Sequence, residues 1–222
     1  MQKSLSKMEK DPLQNFLQRL SSEEKEIYHS LSSPAQIQAF LDETEYSVDP
    51  FYRCPVRALH EKKANCLDGA FFAATCLRQS GYKPLVVDLL PEPGTDDDHL
   101  IAVYKRNGLW GSVAKSNFVG LRYREPIYRT VRDLVLSYFE QYYNVAGMKT
   151  LRGYTKPFNL ARMDKTGWMY KDEGMDAIER ASYAWEKVIL FSPELISTFI
   201  FVDERSRKAG LSGANEAGLF KV

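Results

Sequence analysis

The dipeptide Asn107-Gly108 separates two runs of strand-forming residues, His99 to Lys105 and Leu109 to Lys115, and predicts a tight hairpin. Turn length then sets the register. With a two-residue turn Arg106 faces Leu109 and His99 lies opposite Ser116; another length would move that partner to Lys115 or Asn117. Upstream, Asn65 is a good N-cap and Asp68 closes a capping box three places later. Leu67, Ala70, Phe71, Ala74 and Leu77 recur at helical spacing until Gly81. Pro84 to Leu90 reads as a strand, and Pro91 to Asp98 as a polar loop. A helix followed by a strand and a hairpin restricts this stretch to an α+β arrangement with antiparallel pairing.

Chemistry enters with Cys66, which directly follows the cap. Unpaired N–H groups and the positive end of the helix dipole face its sulfur, an arrangement that favours the thiolate and gives donors for a developing oxyanion. His99, at the start of a strand, is the only downstream histidine. A neutral imidazole needs a neighbour that accepts its N–H, which Ser or Asn can do and Lys cannot, so Ser116 and Asn117 are the candidate orienters.

Helix-borne Cys66, strand-borne His99 and a polar residue on the adjoining strand, in that chain order, resemble the transglutaminase-like branch of the papain-like cysteine enzymes. The resemblance runs from about Tyr46 to Phe118: residues 65–70 resemble the family's nucleophile helix, 98–104 its histidine strand and 109–117 its third strand. It implies a nucleophile helix packed on a small antiparallel sheet, with helical extensions at both ends. It also implies acyl transfer through a thioester on Cys66, with His99 as general base and Ser116 or Asn117 holding the ring. The substrate class is a peptide or amide, the outcome hydrolysis, deamidation or transfer to an amine, and no cofactor is required. The family usually carries Asp a few residues beyond the tryptophan; here the fourth residue after Trp110 is Ala114. Either Asn117 replaces that acid or the triad is incomplete, in which case the chain is a degenerate binding module.

Other residues carry weaker signals. Cys76, deep in the helix, reads as packing, and Cys54, before Pro55, as structural or lining the site. His60 falls on a short helix from Pro55 to Glu61 and reads as a surface residue, while His29 has no partner pattern. Asp96, Asp97, Asp98 and His99 form an oxygen-rich run without the glycine and glutamate of a calcium loop or paired Cys and His spacing, so no metal is expected. With 30 basic and 29 acidic residues the charge is +1, which argues against general nucleic-acid binding. Arg122, Arg124, Arg129 and Arg132, interleaved with Tyr123 and Tyr128, keep an RNA or acidic-ligand binder as an alternative.

At 222 residues, 44% of them hydrophobic, the chain can bury a sizeable core. The reading divides it into an N-terminal helical cover (1–45), a transglutaminase-like core (46–126) and a mostly helical C-terminal extension (127–222). Helices are expected from Asp11 to Leu20, after Ser21, from Ala35 to Leu41, from Thr130 to Tyr143, from Asp176 to Val188 and after Ser192-Pro193. Residues 147–166 read as a long connection, Trp168 to Tyr170 as a short strand, and Gly210 onward as loose. No apolar run spans a membrane, and three cysteines without a secretory segment suggest a reduced, cytoplasmic setting. Composition carries nothing about oligomeric state.

Overall fold

The computed structural model describes residues 11–221. The first ten residues of the expected N-terminal cover, and Val222, lie outside that range. Three helices open it: α1 (Pro12–Leu17), α2 (Ser22–Ser30) and α3 (Pro34–Glu43), each started by a side-chain cap from Asp11, Ser21 or Ser33. Next come β1 (Glu45–Tyr46), α4 (Pro55–Glu61) and β2 (Lys63–Ala64), with β1 and β2 paired in parallel. Then α5 (Cys66–Gln79) begins with the expected Asn65/Asp68 capping box, and Gly81, at φ +85°, follows its end.

The sheet is larger than expected. It contains β3 (Leu85–Pro91), β4 (His99–Arg106), β5 (Leu109–Val113) and β6 (Arg124–Tyr128); after α6 (Val131–Leu136) it adds β7 (Leu151–Thr155) and β8 (Phe158–Asn159); after α7 (Asp172–Ser182), β9 (Lys187–Ile189). Two short helices, α8 (Pro193–Ile196) and α9 (Glu204–Gly210), follow. The order is β6-β5-β4-β3-β7-β9, β8 also pairs with β3, and every pair is antiparallel. The molecule is therefore α+β.

Asn107 and Gly108 both take positive φ, at 52° and +82°, and Arg106 faces Leu109, so the two-residue turn holds. The β4–β5 ladder nevertheless ends at Ala102 and Val113, short of Ser116. Beyond it Gln38 takes over, accepting from the Ala114 N–H and donating to its carbonyl (3.0 and 2.9 Å). Lys115 sends its ammonium to the Leu41 and Thr44 carbonyls. Gly69 permits this close approach, because a Cβ there would sit 2.3 Å from the Cβ of Lys115.

Several expectations from 130 onward need correction. Residues 147–166 hold β7 and β8 rather than an unstructured connection, Trp168 to Tyr170 form turns, and the expected helix from Asp176 to Val188 starts at Asp172 and stops at Ser182. Its last residues enter β9. The expected helix from Thr130 to Tyr143 breaks after Leu136 into a 3-10 turn at Phe139–Gln141. Side chains on one face of the sheet (Val86, Leu100, Ala102, Tyr104, Val113) pack on α5, and those on the other (Val87, Leu89, Ile101, Val103, Ala114) on α6 and the tyrosines after it. Among the described residues, no helix is long and apolar enough to cross a membrane.

Candidate functional site

A cavity of about 630 Å³ opens where α5 begins and β4 starts. Cys66 reaches it as the first residue of α5. Asn65 accepts the Asp68 N–H through its side chain (2.9 Å) and the Gly69 N–H through its carbonyl (3.0 Å). The N–H groups of Cys66 and Leu67 have no protein acceptor among the described residues and remain for a ligand oxygen. Asp68 also accepts the Arg53 N–H (2.8 Å), and the buried Arg53 guanidinium binds Glu61, Asp49 and Ser47. That network fixes the 47–52 segment, which walls the cavity, to the start of α5.

The half-buried sulfur of Cys66 lies 4.0 Å from the Asp98 carbonyl, so it abuts the residue that precedes β4. Burial, followed by the Asp98 carboxyl, raises this thiol above its ordinary value. This direction is opposite to the one expected from the helix dipole alone.

His99 alternates with Leu100 and so belongs to the other face of the sheet, with Ile101 and Val103. Its Nε2 is 2.8 Å from the Leu121 carbonyl. Burial lowers its pKa to about 4, which keeps the ring neutral near pH 7. A carbonyl only accepts, so Nε2 carries the proton and Nδ1 holds the free lone pair. The orienter is therefore a backbone carbonyl rather than Ser116 or Asn117. Ser116 Oγ accepts the Phe118 N–H (3.0 Å). Asn117 exchanges two hydrogen bonds with the Asn215 backbone (2.8 and 2.7 Å). The segment after Gly210, expected to be loose, is thereby held against the body, and Ala217 to Phe220 form part of the cavity wall.

The cavity joins both layers: Cys66, Leu67 and Phe71 from the helix side, His99, Leu121 and Tyr142 from the other. Sequence reading missed Asp88, Tyr142, Glu179 and Trp185, which also line it. Asp88 had left a signal, a lone carboxylate in the apolar run Leu85 to Leu90. The 92–98 loop is anchored by Tyr142, whose hydroxyl donates toward the carbonyls of Asp97 (2.8 Å) and Leu89 (3.1 Å). Asn144 on the Thr95 carbonyl and Thr150 on the Asp96 carboxylate anchor it further.

Cys76 is fully buried, and Cys54 donates its N–H to Asp172, so neither competes with Cys66 for the cavity. Of the arginine cluster, Arg124 stacks on Tyr138 (3.9 Å) and bonds Ser137, and Arg122 reaches Asp42 (3.4 Å); Arg129 and Arg132 are exposed. No protein-family model and no curated protein matches this chain.

Proposed function

We propose that the chain is a cysteine acyl-transfer enzyme of transglutaminase-like type acting on an amide or peptide substrate. The observation that carries this reading is that one cavity is lined by a helix-start thiol and, from the other face of the sheet, by an imidazole whose proton is committed to Nε2. That commitment leaves Nδ1 as a base. The start of α5 beside an antiparallel sheet supports a papain-like core.

In this mechanism the Cys66 sulfur attacks the substrate carbonyl while its proton is relayed across the shared cavity to Nδ1 of His99, which reaches that cavity from the opposite face of the sheet. The C–O π pair moves onto oxygen, which the Cys66 and Leu67 N–H groups receive. Collapse of the adduct breaks the C–N bond, the leaving amine takes the proton back from His99, and a thioester remains. Water or an amine then releases the acyl group. Because the thiol is raised and the imidazole lowered, attack and proton transfer occur together rather than from a stored ion pair.

An activated ester tests this. p-Nitrophenyl acetate should leave an acetyl group on Cys66, detected by peptide mass spectrometry, and Cys66→Ala should abolish the burst. His99→Gln should slow acylation by about 10²–10⁴-fold. An undiminished burst in Cys66→Ala would remove the nucleophile. The second reading, a binding module without chemistry, is favoured by Ala114 standing where the family usually carries Asp; acylation equally fast in His99→Gln and wild type would support it.

A further inference from the structure

Residues 211–220 follow α9 and supply one wall of the cavity, yet every one of them is half-buried or exposed and none belongs to either apolar core cluster. Among the described residues, the hydrogen bonds that tie this segment to distant parts of the chain converge on Asn215. The Asn117 side chain accepts its N–H (2.7 Å) and donates to its carbonyl (2.8 Å), and its own side chain donates to the Tyr46 carbonyl (3.5 Å). The segment's other bonds close local turns, such as Ala214 on Leu211, Gly218 on Asn215 and Leu219 on Glu216. Few long-range bonds and little buried apolar surface place such a segment at the low end of local stability, where it detaches without the sheet unfolding.

Its inner side fits closely all the same. A Cβ added to Gly218 would come within 2.8 Å of the Tyr46 ring and 3.1 Å of a Val48 methyl. Tyr46, Val48, Gly218 and Phe220 line the same cavity as Cys66 and His99. Leu219 and Phe220 also line a second groove with Val145 and Arg207, so the segment is a thin partition rather than a packed layer. Gly213, exposed at φ +70° with nothing within 4 Å of an added Cβ, is an uncrowded pivot just beyond α9.

We propose that residues 211–220 form a strap over the Cys66 cavity, latched by Asn117 and hinged at Gly213, that must swing aside before a bulky molecule reaches the sulfur. Asn117 then serves access rather than the orientation of His99. The strap controls entry of any ligand, so this goes beyond the acyl-transfer reading and holds whether or not a thioester forms.

Alkylation of Cys66 in the full-length chain tests it, with two neutral reagents that share one reactive group: N-ethylmaleimide and the bulky pyrene maleimide. Each rate is followed by peptide mass spectrometry and corrected for the reagent's rate with free cysteine. In the wild-type chain pyrene maleimide should react much the more slowly. Asn117→Ala removes two hydrogen bonds from the latch and should speed pyrene maleimide by about tenfold or more while leaving N-ethylmaleimide nearly unchanged. Gly218→Leu, which cannot sit against Tyr46, should do the same by lifting the strap, and carries the test alone should Asn117→Ala fail to fold. Hydrogen exchange should rise within 211–220 in both variants and stay at wild-type values in β4 and β5. Equal corrected rates for the two reagents in the wild-type chain, or no gain in the variants, would overturn the inference. Exchange rising as much in β4 and β5 as in 211–220 would make the segment part of the body and overturn it too. Failure of p-nitrophenyl acetate to acylate Cys66 would sink the enzymatic reading and leave these rates untouched.

Discussion

The two faces of the central sheet are built from different chemistry. On the α5 face, Ala70, Ala73, Ala74 and Cys76 let the helix lie close to Leu100, Ala102 and Val113, and Phe71 and Phe72 fill the remaining space. The opposite face is covered by tyrosines whose hydroxyls go to specific oxygens: Tyr138 to Ser112 Oγ (2.6 Å) and the Arg122 carbonyl (2.7 Å), Tyr142 to Leu89 and Asp97. The first face holds the helix that starts at Cys66 by apolar packing, whereas the second places His99 and the acidic loop by hydrogen bonds. The candidate site lies where the two meet, so it depends on both kinds of force.

Truncation on the apolar face should have the largest effect. Phe71 is 1% exposed and sits edge-on to Trp168, ring centroids 5.7 Å apart. Phe71→Ala should cost about 3–5 kcal/mol, from lost transfer energy and the cavity left behind. Urea denaturation measures it. A cost under about 1 kcal/mol would mean that α5 is not the tightly packed element described here, and the contrast between the faces would fail.

His99 belongs to the polar face yet is buried without a charge, and this gives the second prediction. Its folded pKa of about 4 lies below the unfolded value of 6.5, so between those limits the unfolded chain binds more protons. The stabilisation is fully present above pH 6.5 and is lost as pH falls toward 4. Over the full window that amounts to on the order of 3 kcal/mol. Asp68 and Asp96, both raised to about 6 chiefly by burial, act in the opposite sense, since the folded state holds their protons as pH falls. Comparing His99→Gln with wild type isolates the histidine. The variant should lose less stability than wild type between pH 7 and pH 5, and parallel losses would mean that the ring is solvated and free to charge.

The same contrast explains what the sequence could reveal. The helix face was legible because its signals are local: the Asn65 cap, the small and apolar residues at helical spacing, Gly81, and Asn107-Gly108 for the hairpin register. The α+β class and the positions of Cys66 and His99 on their elements followed from these. The polar face depends on contacts between distant segments, such as Tyr142 with Asp97 or Asn117 with Asn215, and no periodicity encodes those. A backbone carbonyl orients His99, and since every residue has one, side-chain identity at 115–117 could not reveal it. The strands β7 and β9 were hidden because they are short and carry glycine, lysine and arginine among their apolar residues. Desolvation of Cys66 was hidden too, because the depth of a cavity depends on loops brought together from 46–52, 96–98 and 217–220.

The smallest effect on stability should come from Tyr142→Phe, which is also the sharpest test of the polar face. The phenyl ring keeps the apolar packing, while the Leu89 and Asp97 carbonyls lose their shared donor. One hydroxyl of this kind is worth about 1–2 kcal/mol, well below the cost at Phe71. Its functional consequence should exceed its thermodynamic one. Asp97 immediately precedes Asp98, whose carbonyl touches the Cys66 sulfur, and the same loop ends at His99. Releasing it should loosen the thiol's surroundings without unfolding the sheet. Hydrogen exchange should rise within 92–99 and stay unchanged in α5, and alkylation of Cys66 by iodoacetamide should accelerate relative to wild type. If alkylation and exchange both stay at wild-type values, the loop is held by Asn144 and Thr150 alone, and the tyrosine contributes to the layer only by packing, as the phenylalanines do on the opposite face.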